Sequence, residues 1–525
     1  MDSEYTAVIL AASYGDRLYP LTGNAESFVS SDPEEEEDSV MAGSAGPVVD
    51  KDDPNSMSKS KNLTMNMPKH LLPVGGESIL SRLIRTLDLS GFERCVILTL
   101  QEMEDGVQKV VEGQRDSQKK GIDKRNMGVE VMVLPETCGG SADALRYLYS
   151  KKSEKELNSN IVVMPGDLIV EGSGVFGWLV DAHRRNSMNG SKNYGVSACT
   201  MLLSDVGEND KDGVPLKESA KAKKGSFSRE EEEIEFIGLA PLSKKYHSAI
   251  HTENYDRRVV FKTSKVDVEE DEDLAGKTPK LVIPKMKIMK SSNMGMGGLK
   301  IRTDLLDLHT YVFAPWIRYL LEKRNRITSL QEDLLPFLIS LQFSGISDIF
   351  DESVDFKDGN LPDECFSVGA QILPRGSRIA LRCCTIASYL FACRELVGHA
   401  VKPPEKMVVG NFKVPLSSTF SALEGDIQSK NNSVVLIGSK LPQKVTIKNS
   451  TVGRRVSIGE KCKLNNVVVM DDCCIGNETI LQNTVISEGA IISNNCNLND
   501  CQVGLGGISI PSLTKLKGEA IVNSS

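Results

Sequence analysis

What the chain lacks narrows its function before anything else does. No apolar run among its 525 residues approaches the ~18 residues of a membrane-spanning helix, so no transmembrane segment is expected. The opening residues MDSEYTAV are acidic and offer neither the basic start nor the apolar stretch of a secretory leader, so a cytosolic protein is expected. There is no surplus of positive charge. The 62 Lys and Arg residues stand against 71 Asp and Glu, a net charge of −9, which argues against general binding of DNA or other nucleic acid through a basic surface. The twelve cysteines include no C-x-x-C pair and no cysteine–histidine cluster at zinc spacing. Adjacent pairs at Cys383-Cys384 and Cys473-Cys474 could serve a metal or redox site, but the scatter reads as reduced, mostly buried thiols.

The length exceeds one core of typical size, so two domains plus linkers are expected. From Pro68 onward, short apolar runs alternate with helical patterns. Ile79, Leu80, Leu83, Ile84 and Leu87 share one helical face within Glu77–Leu89. Arg94–Leu100, Val129–Leu134 and Asn160–Met164 read as buried strands. Ser141 reads as the N-cap of a helix running through Lys151, and Val175–Arg185 as another helix. Ile234–Leu239, Arg257–Phe261 and Leu305–Phe313 read as further strands, followed by helices at Trp316–Lys323 and Ser329–Gln342. This alternation predicts an α/β domain with a mostly parallel, doubly wound, Rossmann-like sheet over residues 1–345, with ligands beyond the carboxyl ends of its strands. Charged, serine-rich stretches at 23–66 and 204–233 read as disordered insertions, and the charged stretch at 266–280 and the Gly/Met/Ser-rich patch at 291–298 as solvated loops. Residues 346–400 read as a connecting segment.

The C-terminal part changes character. Ile447, Leu464, Leu481 and Leu498 recur at steps of seventeen residues. So do Asn449, Asn466, Asn483 and Asp500, then Val452, Val469, Ile486 and Val503, and Leu441, Ile458, Ile475 and Ile492. A fixed period of this kind, built from units such as VGRRVS and IGEKCK, marks a hexapeptide solenoid, the left-handed parallel β-helix, over residues 401–515. Aliphatic residues are expected inside it, with Asn and Gly at the tight corners. Unpaired backbone and apolar area at its ends would invite a partner.

The chemistry-bearing stretches are LAASYGDRLYPLT (Leu10–Thr22) and MPKHLLPV (Met67–Val74). An apolar strand ending at Ala11, a small-residue turn through Gly15, and then Arg17 would present backbone N–H groups and a guanidinium to a phosphate. Lys69, between Pro68 and Pro73, would add a second cation. This pairing resembles the sugar-1-phosphate nucleotidyltransferases, whose signature reads L-A-A-G-x-G-x-R, then P-x-T, then P-K-x-L-L-P-V. Ser13 stands where that family has its first glycine, and some forty residues separate Thr22 from Pro68. The resemblance extends to Gly139-Gly140-Ser141-Ala142, like the family's G-T-A element near the base, and to Asp167, which matches its metal-binding aspartate. It implies a site of Ala11, Gly15, Arg17, Lys69, Gly140, Ser141 and Asp167 for a nucleotide or nucleotide sugar with Mg²⁺ at Asp167. The other reading of Asp167 is a carboxylate capping the loop after its strand.

The sugar half departs from the family. Its E-K-P is replaced by Ile237-Gly238-Leu239-Ala240-Pro241, and its N-x-G before the strand YVF by Asp307-Leu308-His309. His309 could be a base or a satisfied structural histidine. No catalytic residue and no required cofactor are therefore expected. Outside the insertions, nearly the whole chain resembles the nucleotidyltransferase-like subunits of the guanine-nucleotide exchange factor for translation initiation factor 2. GGSADALRYLY (Gly139–Tyr149), IVVMPGDLIVEG (Ile161–Gly172), ITSLQEDLLPFLISLQFSG (Ile327–Gly345) and Ser450–Gly504 carry that resemblance. It implies a cytosolic, non-catalytic partner of the epsilon subunit, joined by alpha, beta and delta subunits, with initiation factor 2 as substrate. The chain stops at Ser525 without the helical extension through which the epsilon subunit acts. The rival readings are an active mannose-1-phosphate guanylyltransferase and a nucleotide sensor that regulates an assembly.

Overall fold

The computed structural model describes residues 4–22, 67–119, 127–153, 157, 159–171, 174–188, 196–205, 233–241, 257–268, 299–343, 366–373, 380–401, 407–409, 412–414, 425–428, 431–442 and 444–522. The insertion at 23–66 and most of 204–233, 266–280 and 291–298 lie outside these residues. The chain divides into two compact units, one of residues 1–13 and 70–433, the other of residues 14–69 and 434–525.

The first unit is built on one sheet of ten strands among the described residues. In chain order they are β1 (Tyr5–Ala11), β2 (Arg94–Thr99), β3 (Gly128–Val133), β4 (Asn160–Pro165), β6 (Val196–Asp205), β7 (Glu235–Pro241), β8 (Arg257–Ser264), β9 (Lys300–Arg302), β10 (Leu305–Phe313) and β11 (Phe366–Leu373). A short β5 (Leu168–Val170) pairs outside the sheet with β12 (Ala380–Arg382). The spatial order is β9-β7-β8-β11-β6-β10-β4-β1-β2-β3. Strands β3, β2, β1 and β4 are mutually parallel, as the alternating pattern predicts. The other half is mixed, because β10 runs antiparallel to both β4 and β6.

The segment read as a connection contains β11, which is buried at every position and lies parallel to β6. Its sequence, FSVGAQIL, mixes polar and small residues into the apolar run. Periodicity alone therefore did not mark it.

Period-two alternation divides the core between the two faces of the sheet. On β1, Val8 packs with Leu145, Leu148, Trp316 and Leu320. Tyr5, Ala7 and Ile9 pack on the opposite side with Leu80, Leu83, Leu87 and Phe176. The helices supplying these layers include α1 (Ile79–Leu89), α3 (Ser141–Lys151) and α4 (Gly174–Met188), with α2 (Glu104–Lys119) between the first two in sequence. Helix α5 (Ile317–Lys323) and helix α6 (Leu335–Leu341) follow β10, and α7 (Ile386–Val401) follows β12. Burying one such Leu or Ile is worth about 1.5–3 kcal/mol. The Ser78 hydroxyl caps α1 by accepting from Ser81 N at 3.2 Å. The helix expected over Ser329–Gln342 instead opens with a wide turn at Leu330–Leu334 before α6. Pro336 has no N–H to continue regular pairing there, and Leu334 N reaches back to Ser329 O at 3.0 Å.

The second unit holds the solenoid. Ile447, Leu464, Leu481, Leu498 and Leu516 stack in one parallel ladder. Val452, Val469, Ile486, Val503 and Ile521 form a second. Ile458, Ile475, Ile492 and Ile510 form a third. This is a parallel β-helix of the hexapeptide type. The Asn corner is left-handed at every coil, with φ of 48° at Asn449, 57° at Asn466, 49° at Asn483 and 55° at Asp500. Asn tolerates this region better than most residues. Its amides also join neighbouring coils, Asn466 Nδ2 to Asn483 Oδ1 at 2.9 Å and Asn483 Nδ2 to Asp500 Oδ1 at 2.7 Å.

Candidate functional site

Strand β4 ends in Pro165, and register pairs it with Leu10 of β1. Gly166 N donates to Leu10 O at 2.8 Å. A Cβ at Gly166 would lie 3.2 Å from Leu10 O and 3.3 Å from Ala11 Cα, so a larger residue there would have to push the two strand ends apart by a few tenths of an ångström. Ala11 is buried there, its carbonyl accepting from the Thr99 hydroxyl at 3.1 Å. The carboxyl ends of β1 and β4, with Ala11 and Gly166, thus meet at one sheet edge.

Asp167 is 0% exposed. Its carboxylate faces Arg382 of β12, with Nε to Oδ1 at 3.3 Å and Nη2 to Oδ2 at 3.2 Å. The Asp167 carbonyl accepts from Cys383 N at 2.9 Å. Arg382 Nη1 also lies 2.9 Å from His309 Nδ1. Burial works against the Arg382 charge, but the Asp167 carboxylate more than reverses that and holds the guanidinium above its ordinary range. Asp167, Arg382 and His309 thus share one charge-assisted group.

Gly140 and Ser141 open α3, with Gly140, not Ser141, at the N-cap position. The predicted cap fails because the Ser141 hydroxyl is engaged elsewhere, accepting from Leu330 N at 2.9 Å. Ala142 N in the first turn donates to Thr328 O at 2.8 Å. A Cβ at Gly140 would lie 2.4 Å from that same carbonyl. The loop before α6 therefore uses a backbone donor of this helix terminus that the resemblance assigns to a nucleotide.

Gly15, Arg17 and Lys69 belong to the second unit. Gly15 has φ of 88°, a conformation that glycine adopts without strain, and its carbonyl accepts from Leu18 N at 2.9 Å and the Thr22 hydroxyl at 3.0 Å. The Lys69 stem lies against it, 2.9 Å from where a Cβ would stand. Arg17 sits in the short turn Asp16–Leu18, exposed, while Leu18 and Leu21 are fully buried. In the same unit, a Cβ at Gly504 of the solenoid would lie 2.9 Å from Pro20 Cβ. The turn after β1 is thus packed as part of the solenoid unit.

Comparison with known proteins agrees with this architecture. A family model described as nucleotidyl transferase matches residues 59–198, and one described as GlmU-like, C-terminal hexapeptide matches residues 417–501. Translation initiation factor eIF2B subunit gamma of Schizosaccharomyces pombe is 21% identical over 323 residues, 59% of this chain and 56% of that protein. The chain resembles that gamma subunit. The match spans little more than half the length of the relative.

The nucleotidyltransferase family implies Mg²⁺ at the position of Asp167, and the residues present do not fit it. The one carboxylate at that position is buried against a guanidinium, and no group of three or more His, Cys, Asp or Glu that could hold a metal occurs among the described residues.

The acceptor half holds a buried charge cluster of its own, in which Glu235 Oε2 has no hydrogen-bond partner among the described residues. Lys262 Nζ of β8 lies 2.6 Å from Glu235 Oε1 and 3.2 Å from Asp307 Oδ2, all three side chains being buried. Asp307 also accepts from His309 N at 2.8 Å and from the Tyr311 hydroxyl at 3.0 Å. Burial pulls the Lys262 ammonium down, but Asp307 and Glu235 more than offset it, so it stays charged. Burial pushes Glu235 up, with Lys262 opposing. His309, with φ of 50° in a bulge of β10, is a ligand of Arg382 and not a free base. Sequence reading missed Arg382 and Lys262. One sits in the stretch read as a connection, the other one residue beyond the strand read at Arg257–Phe261, and neither carries a motif.

Proposed function

We propose that this chain is a non-catalytic, cytosolic subunit of the guanine-nucleotide exchange factor for translation initiation factor 2, promoting GDP release and GTP loading through its partners. The observation that carries the non-catalytic part is the Arg382 guanidinium on the buried Asp167 carboxylate. A nucleotidyl transfer needs a carboxylate free to hold a metal between phosphates. Here the chain's own cation neutralises it. The Thr328 carbonyl and the Lys262 cluster occupy groups that would serve base and sugar. Similarity to the gamma subunit of the fission-yeast factor supports the assembly. On this reading the chain pairs with the homologous epsilon subunit, then joins alpha, beta and delta subunits, and needs no cofactor. Gly15, Arg17 and Lys69 are then vestiges of a phosphate loop that now secures the solenoid unit.

Affinity purification of the chain from its native cell, with identification of the co-purifying proteins, tests the assembly. Recovery of an epsilon-type subunit is expected, and its consistent absence overturns the reading. An assay of pyrophosphate release from GTP with mannose-1-phosphate and Mg²⁺ tests the chemistry. No turnover is expected, whereas turnover abolished by Asp167→Asn would make the chain an enzyme.

A further inference from the structure

The solenoid neutralises its cations in one place and leaves them bare in another. At two of its corners the seventeen-residue period sets an acid one coil away from a base. Arg455 Nη2 lies 2.5 Å from Asp472 Oδ2, and Lys461 Nζ lies 2.6 Å from Glu478 Oε1. The face formed by Thr446–Lys448, Lys463–Asn465, Ile480–Gln482, Asn497–Asn499 and Lys515–Lys517 is different. Alternate residues of each strand point outward, and Lys448, Lys463, Lys515 and Lys517 are exposed among amides with no acidic residue on the face. None of these four lysines takes part in an ion pair among the described residues. The geometry that pairs charges at the corners would do so here if an acid stood one coil away, and none does. In a chain of net charge −9, a flat cationic face is a local departure from the overall charge.

The face also has a centre. Ile480 is 41% exposed, between Lys463 on one neighbouring strand and Asn497 on the other. An apolar residue ringed by polar and charged groups is the anatomy of a protein interface. Lys463 and Lys515 are three ladder steps apart, about 14 Å at the usual strand spacing. Lys448 and Lys517 are four steps apart, about 19 Å. Single-stranded nucleic acid would want aromatic platforms for its bases, and none of the five strands carries an aromatic residue. Lysine serves carboxylates as point charges, and the intervening Asn and Gln can both donate to and accept from a peptide backbone.

We infer that this face of the solenoid docks an acidic, extended segment of a protein partner, its carboxylates over the four lysines and an apolar side chain over Ile480. The inference rests on the solenoid alone and holds whatever the first unit does.

The test uses the full chain and three fluorescent probes at low and high salt: a short poly-glutamate peptide, a poly-glutamine peptide of equal length, and oligouridylate. The acidic peptide is expected to bind, to weaken with salt, and to lose about tenfold or more in affinity when Lys448, Lys463, Lys515 and Lys517 are all replaced by Gln. The control Lys461→Gln, which removes a cation already paired, is expected to change binding by less than about threefold. All four sites are exposed, so an unchanged melting temperature of the variant shows that it is folded. Oligouridylate binding in preference to the peptide would overturn the inference in favour of a nucleic-acid surface. Failure of the acidic peptide to bind, or equal binding by the fourfold variant, would overturn it outright.

Discussion

Replacing Arg382 by alanine strikes the contact on which the non-catalytic reading turns. The substitution leaves the Asp167 carboxylate, 0% exposed, without its cation, and takes from His309 the guanidinium 2.9 Å away. Breaking one partner out of a buried ion pair costs about 3–5 kcal/mol, because the remaining charge stays desolvated and unpaired. Removing both charges at similar volume, with Arg382→Met and Asp167→Asn together, should cost less than Arg382→Ala alone, since the buried negative charge goes with the positive one. Both tryptophans of the chain, Trp178 and Trp316, lie in the first unit, so their fluorescence in a urea titration reports the unfolding of that unit. The single variant is expected to lower the midpoint at unchanged slope, and the double variant to recover part of the loss. A single variant within about 0.5 kcal/mol of the parent, the range of an ordinary surface change, would refute the claim that Arg382 holds the site closed. So would a double variant no more stable than the single one.

Three further outcomes are expected. Burial pushes the His183 imidazole, 2.9 Å from the Thr200 hydroxyl, down to about 3. The stability due to its neutral form is complete above the unfolded value near 6.5 and is lost as pH falls toward 3, at about 1.4 kcal/mol per pH unit for each proton taken up. His183→Gln should flatten urea midpoints measured across that range, and an unchanged slope would count against the assignment. Gly476→Ala places a Cβ 2.6 Å from Asn494 Oδ1 and 2.7 Å from Asn494 N, so the solenoid should lose about 1–3 kcal/mol, read as a lower melting temperature of that unit. Leu481→Asp buries a carboxylate among aliphatic residues where Leu481 is now fully buried, costs more than about 4 kcal/mol, and should weaken pairing with an epsilon-type subunit in a pull-down. Retention of full pairing would separate the solenoid from the interface.

The sequence made the solenoid legible at the level of single residues, because a seventeen-residue period leaves little freedom. Ile447, Leu464, Leu481 and Leu498 stack as their spacing requires, and Asn466 and Asn483 take the left-handed corners. The parallel half of the sheet was legible for a related reason: each buried strand is a short continuous apolar run between helical patterns. The antiparallel half was less so. Strand β11 reads FSVGAQIL, where Ser367 and Gln371 are buried polar residues that interrupt the apolar run.

At the candidate site, the residues that could be predicted are those a motif carries, such as Gly140 and Asp167. What fills the site could not be. Arg382 reaches Asp167 across 215 positions of sequence, and Thr328 meets the start of α3 from the loop before α6. Such contacts are fixed by tertiary packing, and local pattern holds no trace of them. The departures at Leu239-Ala240-Pro241 and Asp307-Leu308-His309 showed that the acceptor half had changed, but not that Lys262 would occupy it.

The central claim is that the chain works through its partners and not through its own cleft. Release of fluorescent GDP from initiation factor 2 tests this most directly, measured with this chain, with the epsilon subunit, and with both together. The account predicts no acceleration by this chain alone and a rate with both that exceeds epsilon alone. Full exchange by this chain alone, or no gain over epsilon in the mixture, would contradict it.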